Sequence, residues 1–283
     1  MKNWLSFFRC SLLVLGSLLF YAELSFALEK SDKIRIYVLD GGHMKVKDLA
    51  MFSDTGEYEG KSGALADPCF LIQHPKGLFL WDTGLGDNLL GKTPDKKDLF
   101  QPTVSVSLKS QLAKLGLSPK DINFISFSHT HWDHTGNANL FTAATWLWQE
   151  KELAHSLSNH NPRGVKLKSF DQYAAVKKIS YDGDYDVFGD GKVKILYTPG
   201  HTPGHQSLLV KLKSQPIILS GDLYHLKESR VHKRVPVFNN NRAETLASFD
   251  RIETMTKNLS ARVIVQHDPE EFALLPTFPQ FLE

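Results

Sequence analysis

The sequence predicts a layered α/β fold with its functional groups gathered along one edge. Short apolar runs typical of buried strands alternate with longer segments of helical spacing. Several of those strand-like runs are followed directly by His or Asp. Binding and catalytic residues often lie on loops at the ends of strands, because the strands hold these loops in fixed positions. The 283 residues are 42% hydrophobic and 23% charged, so one domain with a large core is expected.

The N-terminal segment 1–27 is expected to lie outside that domain, which would span 28–283. Two basic residues precede an apolar run at 11–20, and the tripeptide at 25–27 offers a small-x-small cleavage site. We interpret the segment as a signal peptide, which predicts a periplasmic or secreted protein with no stable membrane insertion after cleavage. A retained anchor is the alternative, although a bilayer span needs roughly 20 apolar residues.

The first 120 residues contain three predicted strands and one helix. The run 34–40 alternates as an opening strand does, and 41–63 mixes glycine, charge and apolar residues as a loop does. Two strands within 70–82 are joined by a Pro-Lys-Gly turn, which is expected to leave His74 facing solvent. Apolar residues at helical spacing predict a helix at 104–115.

Further elements follow in the second half of the chain. The apolar run 143–148 predicts a strand, and 149–156 and 242–258 predict helices. The domain keeps one cysteine, Cys69, inside an apolar run, where a small buried hydrophobe is expected rather than a reactive thiol.

The densest chemical signal is the stretch His129-Thr130-His131-Trp132-Asp133-His134, which follows the apolar run 122–127. Packing a core gains nothing from clustered histidine, so the cluster predicts a metal site. His129 and His131, two residues apart, can leave a strand end on the same side, while Asp133 and His134 follow in a turn. A histidine-rich surface loop is the alternative, but it would need no matching ligands elsewhere.

Matching ligand candidates do follow later in the chain. His201 lies on a Pro/Gly turn after the strand-like run 193–197. Asp222 and His267 each end a further apolar run. The sequence therefore predicts a site assembled from four separate strand ends.

This order of motifs, His-x-His-x-Asp-His, then Thr-Pro-Gly-His, Gly-Asp and a late strand-end His, resembles the metallo-β-lactamase superfamily. The resemblance runs from Ile34 to Phe272 and implies an αββα four-layer sandwich with a metal pair at one edge. The motifs at 68–72, 80–84, 200–207 and 221–225 are most similar to the N-acyl homoserine lactonase branch.

The resemblance also implies a ligand set for two divalent metal ions. One ion is expected at His129, His131 and His201, the other at Asp133, His134 and His267, with Asp222 bridging the two. Imidazole and carboxylate without thiolate suit zinc, and iron, manganese and cobalt remain open.

Neighbouring residues receive supporting roles from the same resemblance. Asp82 is expected to accept a hydrogen bond from the distal nitrogen of a metal-bound histidine. His205 is expected to support the site or to pack rather than to bind metal. Met51 and Phe52 are expected either to contact an acyl chain or to pack their loop onto the body.

The position after the bridging Asp departs from the family pattern. Lactonases of this branch carry a substrate-contacting Tyr three residues after that Asp, whereas this sequence has His225 there and Tyr224 one residue earlier. Either side chain could donate a hydrogen bond to the substrate carbonyl, and His225 is preferred.

The implied reaction is hydrolysis of an acyl lactone or ester by a hydroxide held between two metals, with Asp133 passing a proton to the leaving alkoxide. A glyoxalase II-like thioester hydrolase would share all seven ligands, but the tail after His267 lacks a basic glutathione site. A zinc β-lactamase is disfavoured by Asp222 and by the lack of a ligand cysteine. A non-catalytic relict would have lost at least one ligand, and none is lost.

The charge balance constrains the partners. The whole chain has a net charge of +2, which falls to about +1 without 1–27. No polyanion is attracted by so small a charge, so nucleic acid is excluded as a partner and an RNA nuclease is disfavoured. A small-molecule acyl lactone or ester is the expected partner, and a homodimer is left open.

The signal-peptide interpretation can be tested directly. Expression of the complete sequence in a bacterial host should yield a mature protein that begins at Leu28 in the periplasmic or secreted fraction. N-terminal sequencing or intact-mass measurement checks this. A protein that retained Met1 and stayed in the membrane fraction would favour the anchor.

Overall fold

The structure is a computed structural model that describes Leu28, residues 31–160 and residues 162–283. The predicted signal segment 1–27 lies outside the described residues. Within those residues, none of the helices combines the length and the apolar character that crossing a membrane requires.

The described residues form thirteen strands and six α-helices. The strands are β1 (Arg35–Val46), β2 (Gly63–His74), β3 (Gly77–Trp81), β4 (Phe100–Thr103), β5 (Phe124–Ser126), β6 (Thr145–Gln149), β7 (Lys178–Tyr181), β8 (Tyr185–Asp186), β9 (Val193–Tyr197), β10 (Gln206–Lys211), β11 (Pro216–Leu219), β12 (Arg262–Ile264) and β13 (Phe281–Leu282). The helices are α1 (Leu108–Lys114), α2 (Trp132–Thr135), α3 (Glu150–Ser156), α4 (Lys227–His232), α5 (Arg242–Leu259) and α6 (Pro269–Ala273).

Two mixed sheets contain these strands. The first has eight strands in the order β13-β1-β2-β3-β5-β6-β7, with β4 paired to β1, and its strands β3, β5, β6 and β7 are parallel. The second has five strands in the order β12-β11-β10-β9-β8, antiparallel except for the parallel pair β11 and β12.

Three apolar clusters stack these elements into layers. The central cluster joins the inner faces of the two sheets, with Phe79 and Trp81 from the first and Ile195 and Leu208 from the second. A second cluster packs α1 on the outer face of the first sheet, and a third packs α5 on the outer face of the second sheet. The predicted αββα sandwich is therefore confirmed.

The strand directions explain where the site forms. Strands β3 and β5 are parallel, so their carboxyl ends meet at one edge of the first sheet. Strands β9 and β11 both pair antiparallel with β10, and β12 runs parallel to β11, so these three also end together. The predicted ligand residues follow the ends of β5, β9, β11 and β12. The loops that carry these residues therefore lie at one common edge of the two sheets.

Two element boundaries differ from the predictions. Strand β1 continues to Val46, because after an irregularity between Asp40 and His43 it pairs with both β2 and β4. The predicted loop 41–63 is therefore shorter. A side chain at Gly41 would lie 2.3 Å from the carbonyl oxygen of Asp67, so this close approach requires glycine.

Helix α1 begins four residues later than predicted. Val104 forms a bridge to Leu90, and the side chain of Ser107 accepts a hydrogen bond from the Ser110 N–H at 3.0 Å, which starts the helix at Leu108. The sequence analysis placed the helix start too early because Val104 lies four residues before Leu108 and so matches the helical spacing.

The expectation that His74 faces solvent was wrong, whereas the expectation for Cys69 is confirmed. The ring of His74 is buried, stacks on Phe188 at 4.0 Å between centroids and contacts Asp190 at 3.0 Å. Cys69 is a buried free cysteine, as predicted.

Candidate metal centre

Three histidines converge on a single point at the shared edge. The Nε2 atom of His201 lies 3.1 Å from Nε2 of His129 and 3.2 Å from Nδ1 of His131. Oδ2 of Asp222 lies 3.3 Å from His201 Nε2 and 3.6 Å from His129 Nε2. A tetrahedral zinc with bonds of about 2.0–2.1 Å holds its ligands roughly 3.3 Å apart, so these four groups suit one cation.

A second group of ligand candidates adjoins the first. Nε2 of His134 and Nε2 of His267 lie 3.2 Å apart. They approach the other oxygen of Asp222, Oδ1, at 3.1 Å and 2.9 Å. Asp133 stands slightly farther away, with its oxygens 3.9 Å and 4.0 Å from the same two nitrogens. Asp222 thus faces each group with a different oxygen, and the structure brings all seven predicted ligands together.

The protonation states of the first group suit metal binding. Burial lowers the pKa of both His129 and His201 well below the ordinary value, and it also lowers that of His131. These rings are therefore neutral near pH 7, and neutral imidazole is the form that binds a metal.

The second group carries positive charge that a cation could replace. Although burial alone would lower the pKa of His267, Asp222 raises it to about 9. Burial likewise opposes the charged form of His134, yet Asp222 and Asp82 raise its pKa well above the ordinary value. Conversely, burial would raise the pKa of Asp222, but His267 and His134 hold it well below its ordinary value. A divalent ion can displace such protons and take over their attraction to the carboxylates.

The donor set therefore fits two divalent ions. Oδ1 of Asp222 is buried and, among the described residues, makes no hydrogen bond of acceptable geometry despite its two close histidines. Five imidazoles and the carboxylates of Asp133 and Asp222 are donors that zinc and related ions accept.

Asp82 fixes the orientation of His134. Its Oδ2 lies 3.1 Å from Nδ1 of His134 and accepts a hydrogen bond from Nε2 of Gln266 at 2.9 Å, while its Oδ1 accepts from the Ser128 N–H at 2.6 Å. These contacts hold Asp82 at a positive φ of 58°, a conformation that Asp tolerates better than most residues. The predicted contact of Asp82 with a histidine of the cluster is confirmed.

His205 supports Asp222 from behind. Its Nδ1 donates to the Thr198 carbonyl at 2.9 Å, which leaves Nε2 to accept the Asp222 N–H at 2.9 Å. Burial lowers the pKa of His205 to about 4, so the ring stays neutral and keeps this acceptor. Gly221 lies between them at a φ of +55°, where a side chain would come within 2.7 Å of His205 Nε2.

Glu152 joins two ligand-bearing loops, and the sequence analysis missed it. Its Oε1 accepts hydrogen bonds from the N–H and the hydroxyl of Thr130, both at 2.8 Å. Its Oε2 accepts from the hydroxyl of Thr202 at 2.7 Å and from the Gly204 N–H at 3.0 Å. The carboxylate thereby ties the loop after β5 to the loop after β9. Its position on α3 gave no signal in the sequence, since acidic residues are common in a first helical turn.

A cavity of about 220 Å³ opens above the metal ligands. Its walls are mostly apolar, and its floor includes His131, Asp133, Asp222, His225 and His267. The apolar and aromatic residues that line it are Met44, Met51, Phe52, Leu65, Phe100, Trp132 and Phe238.

Arg163 and Gly164 complete the cavity wall. Both line the cavity and lie in the segment 162–180, which contains several Arg and Lys residues. The Gly164 carbonyl accepts the Trp132 N–H at 2.9 Å, and a side chain at Gly164 would lie 2.5 Å from the His131 ring. Charge alone could not separate Arg163 from its basic neighbours.

The structure distinguishes His225 from Tyr224. Nε2 of His225 lies 3.0 Å from Oδ2 of Asp222, and its ring contacts Phe52 and Phe238 edge-on. The hydroxyl of Tyr224 instead donates to Glu253 at 2.8 Å, and its ring packs on Phe249 in the cluster under α5. Tyr224 is thus directed away from the ligands, and His225 occupies the cavity floor.

We expect Glu152→Gln to lower the free energy of unfolding by about 1–3 kcal/mol. The side-chain NH2 group of Gln would replace one of the two accepting oxygens, so that either the Thr130 donors or those of Thr202 and Gly204 would lack an acceptor. Denaturant unfolding measures this change. Glu150→Gln, an exposed change on the same helix, is the matched control and should stay within about 0.5 kcal/mol of wild type. Equal stability of the two variants would contradict the role given to Glu152.

Comparison with known proteins agrees with the motifs and the fold. The family model of the metallo-beta-lactamase superfamily matches residues 63–259. The N-acyl homoserine lactonase AttM of Rhizobium radiobacter is 31% identical over 263 residues, which cover 88% of this chain and 98% of that protein. An N-acyl homoserine lactonase of a Bacillus species is 28% identical over 76% of this chain and 86% of its own length.

Solved structures share the fold. An N-acyl homoserine lactone hydrolase with its product N-hexanoyl-L-homoserine bound at the catalytic metal centre superposes with a TM-score of 0.77, at 23% identity, over 89% of this chain and all of that one. AidC, a dizinc quorum-quenching lactonase, superposes with a TM-score of 0.63 at 18% identity, over 91% of this chain and 93% of its own. The chain therefore belongs to the metallo-beta-lactamase superfamily, in its N-acyl homoserine lactonase-like branch.

Proposed function

We propose that this protein is a quorum-quenching hydrolase that opens the lactone ring of N-acyl homoserine lactones at a pair of divalent metal ions, preferably zinc. The observation that carries the proposal is the set of seven ligand residues gathered beneath a mostly apolar cavity, four of which (His131, Asp133, Asp222 and His267) line it. Relatives named N-acyl homoserine lactonase match this chain over 98% of their own length, which supports the same substrate class for this protein.

The geometry supports an assignment of the residues that would hold the ions. His129, His131 and His201 would hold one ion, Asp133, His134 and His267 the other, and Asp222 faces both. Such ions, when bound, make hydroxide available near neutral pH and polarise the carbonyl under attack. AidC is a dizinc enzyme of the same fold, which supports the preference for zinc.

The cavity suits an acyl lactone. A cavity with apolar walls and few polar groups is the usual form of a small-molecule site. The acyl chain would lie against Met51, Phe52 and Phe238, while the ring ester would reach the polar floor. Phe52 is suited to both roles considered for it, because this buried side chain packs its loop and also lines the cavity.

His225 and Asp133 are the side chains placed to handle the reacting groups. His225 would turn its Nε2–H from Asp222 toward the substrate carbonyl, guided by the edges of Phe52 and Phe238. Asp133 lines the cavity and keeps 13% of its side chain exposed, so its carboxylate could take the proton of the hydroxyl group added to the carbonyl carbon and pass it to the ring oxygen that leaves. No covalent intermediate with the chain is needed.

We also propose that the protein acts in the periplasm or outside the cell. The support is the pattern of segment 1–27, with basic residues, a short apolar run and small residues at a cleavage position.

The mature chain from Leu28 should open N-acyl homoserine lactones when it is supplied with Zn²⁺. Removal of metal with a chelator should lower turnover by a factor of about 100 or more, because the ions supply both nucleophile and charge stabilisation. Chromatography of substrates with short and long acyl chains measures the reaction, and added Zn²⁺ should restore it. Hydrolysis of a thioester without any lactone opening would instead favour the glyoxalase II-like alternative.

The variant His225→Ala should lower kcat by about 10²–10³-fold with unchanged metal content, since it removes a hydrogen bond made to the developing oxyanion. Tyr224→Phe is the matched control, because it removes only the hydroxyl bound to Glu253 and should leave turnover close to wild type. Steady-state kinetics together with metal analysis checks both variants. Wild-type turnover in His225→Ala would end the assignment of this side chain.

A further inference from the structure

A buried carboxylate, Asp67, lies beside the second group of ligands and has no role in the site described so far. It is in β2, and its side chain is 2% exposed. One ligand atom each from Asp67, His134 and His267 lies within 4.8 Å of the other two, and all three residues are buried. No sequence motif singled Asp67 out.

The backbone of β2 explains how Asp67 reaches this position. The Ala66 N–H donates to the His267 carbonyl at 3.0 Å, and the Ala66 carbonyl accepts from Nδ1 of His267 at 2.7 Å. The loop after β12 is thus joined directly to the residue before Asp67. This pairing brings the Asp67 carboxylate close to the His267 ring.

A purely structural role does not account for Asp67. The orientation of the His267 ring is already fixed by the Ala66 carbonyl, so it does not need a carboxylate. Among the described residues, Oδ2 of Asp67 has no hydrogen-bond partner. Asp82, a similarly buried neighbour, accepts three hydrogen bonds. Burying a carboxylate with an oxygen that lacks a hydrogen-bond partner is unfavourable unless a cation neutralises the charge.

We propose that Asp67 is an additional ligand of the ion held by Asp133, His134 and His267. This inference rests on the two-ion centre of the proposed function and extends it. The second ion would then have three carboxylates, from Asp67, Asp133 and Asp222, and two imidazoles. The first ion has three imidazoles and one carboxylate.

The two metal positions are therefore unequal in chemistry. The nitrogen-rich position suits zinc, whereas carboxylate oxygens suit harder ions such as Mn²⁺. Asp133 and Asp222 supply two negative charges against the four positive charges of two divalent ions, and Asp67 adds a third. The oxygen-rich position should hold Mn²⁺ more tightly than the nitrogen-rich position does.

Metal titration of the Asp67→Asn variant tests the proposal. Protein made from the complete sequence is stripped with a chelator and titrated calorimetrically with Zn²⁺ and, separately, with Mn²⁺. Wild type should bind two Zn²⁺ ions. Asp67→Asn should bind the first with unchanged affinity and the second at least about tenfold more weakly, with a larger loss for Mn²⁺.

Asp268→Asn is the matched control. Asp268 is also buried and adjoins His267, but its oxygens accept backbone hydrogen bonds from Lys227, Glu270 and Glu271. This variant should bind both ions as wild type does. Its melting temperature should fall with and without metal, because it weakens the hydrogen bonds that these backbone N–H groups make to the Asp268 carboxylate.

Melting temperatures separate a ligand from a structural residue. Without metal, Asp67→Asn should melt at or above the wild-type temperature, because it removes a buried carboxylate whose Oδ2 has no hydrogen-bond partner among the described residues. With metal, it should melt below wild type, because it gains less from binding. An equal fall in both states would assign Asp67 to folding and overturn the proposal.

The remaining outcomes distinguish this inference from the proposed function. Two ions bound by wild type and bound equally well by Asp67→Asn would overturn the role of Asp67 and leave the two-ion hydrolase intact. A wild-type protein that bound fewer than two ions would overturn the two-ion centre itself, and the role of Asp67 with it.

Discussion

The burial of the Asp222 carboxylate among imidazole rings is the constraint on which the site depends. One of its oxygens faces His201 and His129, and the other faces His134 and His267. A carboxylate in a site of low dielectric requires positive charge close by. The fold meets this requirement by ending strands of both sheets at one edge, so that no single loop has to supply all the ligands.

The ligand candidates that the structure brings together could be picked out from the sequence because their signal is local. His129 to His134 form a cluster that core packing cannot explain, and His201, Asp222 and His267 each follow an apolar strand. Asp67 and Glu152 could not be predicted in the same way. Each is a single acidic residue in ordinary surroundings, and its role exists only because distant segments meet: β2 with the loop after β12, and α3 with two ligand loops.

The fold was predicted to the level of its layers and less well at its boundaries. The helix predicted at 242–258 corresponds closely to α5 at Arg242–Leu259, because a long amphipathic helix repeats its signal over several turns. The end of β1 depends on pairing with β4, which is distant in sequence. The prediction for His74 was wrong for a related reason, since the Phe188 ring that covers it lies between β8 and β9, far from His74 in the sequence. Local patterns carry no information about such partners.

The division of the ligands between the two sheets has a further consequence. Four ligands follow β5 of the first sheet, and three follow strands of the second sheet. Cations held by both sets would cross-link segments that are 72 and 133 residues apart in the chain. The domain keeps a single cysteine and so forms no internal disulfide. The metal pair would therefore cross-link the domain where a disulfide does not. By mass action, the concentration of free metal around the protein would then set the resistance of the domain to unfolding and proteolysis.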